Sequence, residues 1–124
     1  MLLVDVNVLV YAHRTDASDH EPYRAWLEAI AGSDQAFAVP STALSGFLRV
    51  VTHPKVFKVP TPMPQALRFA EQLRQQPNYV DVVPGARHWS IFAALCGTAR
   101  VKGNLVPDAY FAALAIEVGG EWIT

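Results

Sequence analysis

Two aspartates stand inside segments that otherwise build a hydrophobic core. Asp5 interrupts the run Leu2-Leu3-Val4-Asp5-Val6-Asn7-Val8-Leu9-Val10, and Asp108 opens Pro107-Asp108-Ala109-Tyr110-Phe111-Ala112-Ala113-Leu114-Ala115-Ile116. A carboxylate in such a place is costly unless a cation or hydrogen-bond donors receive it. Singly, each has a structural reading: Asp5 accepts backbone N–H groups at a strand-to-helix turn, and Asp108 offsets the positive end of a helix. As a pair, more than a hundred residues apart, they make sense if the fold brings them to a shared cation. Mg2+ suits them, because it takes hard oxygen ligands, keeps several waters and commonly uses one or two protein carboxylates together with substrate phosphate oxygens. Asn7, two positions after Asp5, points the same way on an extended chain and adds an amide. Arg14 and Arg49 are candidates to contact phosphate or to receive a carboxylate, although an ion pair at the surface or core edge is the commoner role for each. His13, His20, His53 and His88 show no metal-ligand spacing, which argues against zinc.

The elements that must position these groups alternate. Leu2 to Val10 reads as a strand buried on both faces of a parallel sheet. Glu21 to Ala31 has Tyr23, Trp26, Leu27 and Ile30 at helical spacing and is closed by Gly32. Ala36 to Val39 is a short strand, and Thr42 to Val51 a helix with Leu44, Phe47, Leu48 and Val51 inward and Ser41 as its cap. Four prolines between His53 and Pro64 make a loop, locally basic at Lys55 and Lys58 around Phe57. Gln65 to Gln75 is a helix with Ala66, Phe69, Ala70 and Leu73 inward, Tyr79 to Val83 a third strand, Ala86 to Arg100 a helix, and Lys102-Gly103-Asn104 a turn. Pro107 to Val118 is a helix ended by Gly119-Gly120, and Glu121 to Thr124 begins a fourth strand. Such alternation builds βαβ units, so the expected class is α/β: a parallel sheet of four or more strands sandwiched by helices.

With 124 residues, 52% of them hydrophobic, the chain suffices for one domain with a sizeable core. A net charge of -1 provides no global basic field, so contact with nucleic acid must rest on a local patch, a metal or a partner. The single cysteine, Cys96, excludes an internal disulfide and suits a reducing compartment. The N-terminus lacks a basic leader and a cleavage pattern, and no apolar window approaches a membrane span, so a cytoplasmic location is expected.

Three blocks carry a resemblance that covers nearly the whole chain: Leu-Leu-Val-Asp-Val-Asn-Val-Leu-Val-Tyr-Ala at the start, Ser-Gly-Phe-Leu-Arg-Val-Val-Thr-His-Pro from Ser45, and Asn-Leu-Val-Pro-Asp-Ala-Tyr-Phe-Ala-Ala-Leu-Ala-Ile-Glu from Asn104. The sequence resembles the PIN-domain nucleases, in particular the VapC-type toxins of bacterial toxin-antitoxin pairs. The resemblance implies a parallel α/β fold whose acids hold Mg2+ or Mn2+ to hydrolyse RNA phosphodiesters, with Asp5 and Asp108 as metal ligands and catalytic residues. It also implies a small antitoxin protein lying in the acidic groove, and homodimerisation through apolar helices. Two departures stand out. Many members carry a glutamate where this chain has Gly46, and many carry a further aspartate after the final strand, whereas this sequence stops at Thr124; a few C-terminal residues are expected to be missing.

A metal bridging Asp5, Asp108 and a scissile phosphate would activate a water for in-line attack, with no side-chain nucleophile required. Ser41 and Cys96 have no histidine partner in local sequence. A receiver domain fits poorly, because the acidic pair after the first strand and the lysine near the fifth are missing; a haloacid-dehalogenase-like phosphatase fits poorly because Asn7 stands where a second aspartate is required. The stronger rival is a catalytically inactive PIN-fold module that binds protein or RNA without turnover, a reading that Gly46 favours.

Overall fold

The first strand is much shorter than the apolar run that contains it. In the computed structural model, which describes Met1 to Thr124, β1 covers Leu2–Val4 and the chain turns at Asp5 into helix α1, Val6–His13. The expectation of one strand from Leu2 to Val10 is corrected accordingly. A continuous apolar run without alternation fits strand or buried helix equally. Asp5 marks the change: its backbone is extended, and its Oδ1 accepts a hydrogen bond from the Val6 N–H at 2.6 Å, at the position of a helix N-cap. Asn7 therefore sits in the first turn of α1 rather than on the same face of a strand as Asp5.

The chain continues through α2 (His20–Ala31), β2 (Phe37–Ala38), α3 (Ser41–Val51), α4 (Met63–Arg74), α5 (His88–Thr98), a 3-10 turn at Gly103–Leu105, α6 (Val106–Val118) and β3 (Glu121–Ile123). Ser41 starts α3 from within, following Pro40, and provides no side-chain cap. The strands lie in the order β2-β1-β3, all parallel, with helices flanking the sheet. The expected strand at Tyr79 to Val83 is reduced to a parallel bridge between Phe37 and Tyr79, where the Val80 N–H donates to the Phe37 carbonyl at 2.8 Å. This places a fourth run of chain at the β2 edge, and the Tyr79 hydroxyl fastens it by donating to the Val39 carbonyl at 3.0 Å.

The core gathers Leu3 and Val4 from β1, Phe37 and Ala38 from β2, Val8 and Leu9 from α1, Phe47 and Val51 from α3, and Phe111 and Leu114 from α6. Burying each of the larger side chains contributes roughly 1.5–3 kcal/mol. Ala66, Ala70 and Leu73 point inward from α4 as their spacing predicts, while Phe69 stacks on Phe47 at 5.2 Å. Helix α5 is only partly covered. It lies on α6, but Trp89 is 72% exposed and only His88 is buried, because the apolar residues of α5 run around the helix and one neighbour covers only part of it. No helix is long and apolar enough to cross a membrane.

The end of α6 decides how β3 returns. Gly119 closes the helix at φ 65°, in the left-handed region that favours glycine. A side chain on Gly120 would collide with Leu3, so the Gly-Gly pair lets the chain fold back against β1. The resulting register sets Leu3 beside Trp122 and Val4 beside Ile123. The last residues of the chain thus arrive where Asp5 leaves the sheet.

Candidate metal centre in the groove at the strand ends

Outside the carboxyl ends of the strands lies a groove of about 840 Å³, the place where open parallel sheets bind ligands. Asp5 and Asn7 reach it from the β1–α1 junction, Thr124 from the end of β3, Asp108 from α6, and Arg49 from α3. Four of the five residues singled out in the sequence are therefore brought together. Arg14 is not among the lining residues. It lies behind the loop that walls the groove, and its Nη2 pairs with Asp16 at 2.7 Å.

Asp5 is half-buried and held from two directions. Its Oδ1 takes the Val6 N–H, and its Oδ2 accepts the indole Nε1–H of Trp122 at 3.0 Å. The Trp122 ring in turn packs against Phe111 of α6, with centroids 5.2 Å apart. Sequence reading missed Trp122. The available signal was general: a partly buried indole N–H must find an acceptor, and a tryptophan two residues before Thr124 has few within reach. Asn7 Oδ1 accepts the Thr124 hydroxyl at 3.2 Å, which leaves the Asn7 amide N–H group free.

Asp108 stands exposed in the first turn of α6, directly after Pro107. Neither Asp108 nor Arg49 forms an ion pair. A carboxylate oxygen has two lone pairs, so both oxygens of Asp5 can accept their protein donors and still face a cation. The donor set of Asp5, Asp108 and an amide is all oxygen, which suits Mg2+ or Mn2+ and disfavours zinc. No third His, Cys, Asp or Glu joins the two acids. Gly46 explains part of this, since it lies on the groove side of α3, between Thr42 and Arg49, where a side chain is missing. Glu117 is engaged elsewhere: it accepts the backbone N–H groups of Gly85 and Arg87 at 2.8 and 2.9 Å, which hold its carboxyl below the usual range. It is nine residues along α6 from Asp108, about 13 Å of helix rise.

Comparison with known proteins gives the family of the chain. The family model described as "PIN domain" matches residues 2–124. The chain is 42% identical to the VapC ribonuclease Mb2897 of Mycobacterium bovis over 124 residues, covering 100% of this chain and 84% of the relative. It is 42% identical to ribonuclease VapC43 of Mycobacterium tuberculosis over the same span and coverage, and 38% identical to ribonuclease VapC25 of that organism, over 94% of this chain and 82% of the relative. Among solved structures, VapBC2 from Rickettsia felis, bound to a DNA fragment from its promoter, superposes with a TM-score of 0.69 at 19% identity, covering 99% of this chain and 85% of that one, which speaks for the fold. The chain belongs to the PIN-domain family and, within it, to the VapC group.

Proposed function

We propose that the chain is a metal-dependent endoribonuclease, the toxin of a type II toxin-antitoxin pair, which hydrolyses RNA phosphodiester bonds in the groove at the strand ends. The observation that carries this reading is the meeting of Asp5 and Asp108 in one groove with Arg49, which has no ion pair of its own. The relatives are named as ribonucleases. Asp5 and Asp108 would hold Mg2+, with Mn2+ able to substitute, and the bound ion would supply charge for a phosphoryl oxygen and an acidified water.

The protein's own part is positioning. Val6 N–H and Trp122 Nε1–H hold the Asp5 carboxylate in one orientation, and Asp108 is carried on a rigid helix start. Arg49 takes a phosphate oxygen of the strand, and the Asn7 amide donates to a neighbouring one. Two acids without a third make the metal site weaker than a full acidic cluster would be. The toxin reading also calls for a cognate antitoxin that covers the groove, a cytoplasmic location, and a homodimer joined through apolar helices, for which the exposed Trp89, Leu105 and Ile116 of the α5–α6 layer are the candidates.

The alternative, a PIN-fold module that binds protein or RNA without turnover, draws on Gly46. Mn2+-dependent cleavage of a mixed pool of structured RNAs separates the two, with Asp5→Asn as control and EDTA as blank. Cutting that needs metal and is lost in Asp5→Asn is expected; no cutting, together with no saturable Mn2+ binding, would replace the enzyme by the module.

A further inference from the structure

One guanidinium holds the loop that walls the groove. Arg14 follows α1, and its side chain is only 11% exposed. Its Nη1 donates to the Val59 carbonyl at 2.8 Å and to the Thr61 hydroxyl at 3.1 Å. Its Nε and Nη2 donate to the two oxygens of Asp16 at 2.9 and 2.7 Å, and its plane lies over the Phe57 ring, 4.0 Å from the centroid. Thr61 is buried and shares its hydroxyl with His13 Nε2 at 3.1 Å, so the clamp is anchored to α1 at two points.

The clamp reaches the loop through one ring, one carbonyl and one hydroxyl. The Phe57 ring, the Val59 carbonyl and the Thr61 hydroxyl are gripped, while the side chains of Lys55, Lys58 and Val59 are exposed and neither lysine forms an ion pair. Between the two lysines, Val56 and Phe57 line the same groove as Asp5, Asp108 and Arg49. A chain with a net charge of -1 offers a polyanion little attraction overall, yet here Arg49 lines the groove and Lys55 and Lys58 flank its wall residues Val56 and Phe57 in the chain, none of the three paired with a protein carboxylate. Free cations beside an aromatic residue fit a single-stranded phosphodiester backbone. Arg14, neutralised by Asp16 and with its donors engaged, is a poor phosphate ligand itself.

We propose that Arg14 is a positioning residue: by clamping Phe57, Val59 and Thr61, it holds Lys55 and Lys58 at the lip of the groove, where they take phosphates of an RNA strand. The proposal rests on the ribonuclease reading above and assigns Arg14 an indirect role in substrate binding.

The test is a binding cycle on the full chain, using a fluorescent single-stranded RNA with EDTA present so that no cleavage intrudes. The variant Lys55→Gln/Lys58→Gln should bind on the order of tenfold more weakly and flatten the salt dependence by about 0.7 in slope for each lysine. Arg14→Gln should reproduce much of that loss and of the flattened slope, and should add little when combined with the two lysine changes. Asp16→Asn, at an exposed position, removes only the partner of the clamp; it should show a smaller loss that also vanishes in the lysine background, and it serves if Arg14→Gln does not fold. Additive losses, or unchanged RNA affinity in both Arg14→Gln and Asp16→Asn, would overturn the role of Arg14. Failure of the unmodified chain to bind RNA in this assay would overturn the lysine contacts, and failure also to cut RNA with Mn2+ would overturn the ribonuclease reading beneath them.

Discussion

Trp122 donates its indole N–H to Oδ2 of Asp5 at 3.0 Å, across 117 positions of sequence. Because β3 runs parallel to β1 and the Trp122 ring rests on Phe111, the same side chain links the sheet, α6 and the acid. Partners of this kind orient metal-ligating carboxylates, and their removal typically lowers metal affinity or activity by about 10- to 100-fold. Trp122→Phe keeps much of the ring contact and deletes the donor. Mn2+ affinity, measured by titration calorimetry, is expected to fall within that range, while the unfolding free energy falls by only about 1 kcal/mol. Unchanged Mn2+ affinity would show that the indole merely packs.

The two acids should separate stability from chemistry. Asp5 caps α1, so Asp5→Ala is expected to lose about 1 kcal/mol in urea unfolding, whereas Asp5→Asn retains a capping oxygen and loses little. Asp108 is exposed and free of ion pairs, so Asp108→Asn should leave the unfolding midpoint nearly unmoved. Both asparagine variants are expected to abolish metal-dependent RNA cleavage. Residual cutting in Asp108→Asn would remove that residue from the site.

Gly46 bears on why the second acid of the family pattern is absent. A Cβ built there would stand 2.9 Å from Cγ2 of Val6, whose backbone N–H donates to Asp5. Gly46→Glu gains about 1 kcal/mol of helix propensity but overpacks against a β-branched side chain, at a cost of about 1–3 kcal/mol. A net loss of roughly 1 kcal/mol is expected, recovered when Val6→Ala is added. Denaturant midpoints of the four proteins in this cycle decide it, and strictly additive values would mean that the two positions do not press on each other.

His13 sets a pH window for stability. Burial, then the neighbouring positive Arg14 and His20, lower its pKa below 6.5 in the folded protein. Between the folded value and 6.5 the unfolded chain binds more protons than the native one, so stability rises with pH there. The contribution is complete above 6.5 and is lost as pH falls through the lowered folded value. Glu117, whose carboxyl is also lowered, acts in a separate window below 4.5. Urea unfolding from pH 7.5 down to 5 should therefore show a decline that His13→Gln largely flattens; an equally steep decline in that variant would place the proton elsewhere.

Much of the architecture was legible from local pattern. The helices at His20–Ala31, Ser41–Val51, Met63–Arg74 and Val106–Val118 lie within a few residues of where apolar spacing, proline and glycine put them, because those signals act over a single turn. The alternation of short apolar strands with helices sufficed for a parallel α/β sheet. Asp5 and Asp108 stood out for one reason: a charge in an apolar segment demands a partner, wherever that partner comes from.

What remained depended on contacts that one stretch of chain does not encode. Whether Val6 to Val10 became strand or helix rested on where the sheet ran out and on the cap at Asp5. Trp89 carries the same apolar character as Phe111, yet one is exposed and the other buried, since only the arrangement of helices decides which face is covered. Arg14 was ambiguous in sequence because its meaning lies in Phe57, Val59 and Thr61, more than forty positions away. The sequence by itself determined the kinds of segment and the two acids that needed an explanation. The tertiary structure decided which donors hold Asp5, which cations remain unpaired and which loop walls the groove, because hydrogen bonds and burial are set by distance in space and only loosely by distance along the chain.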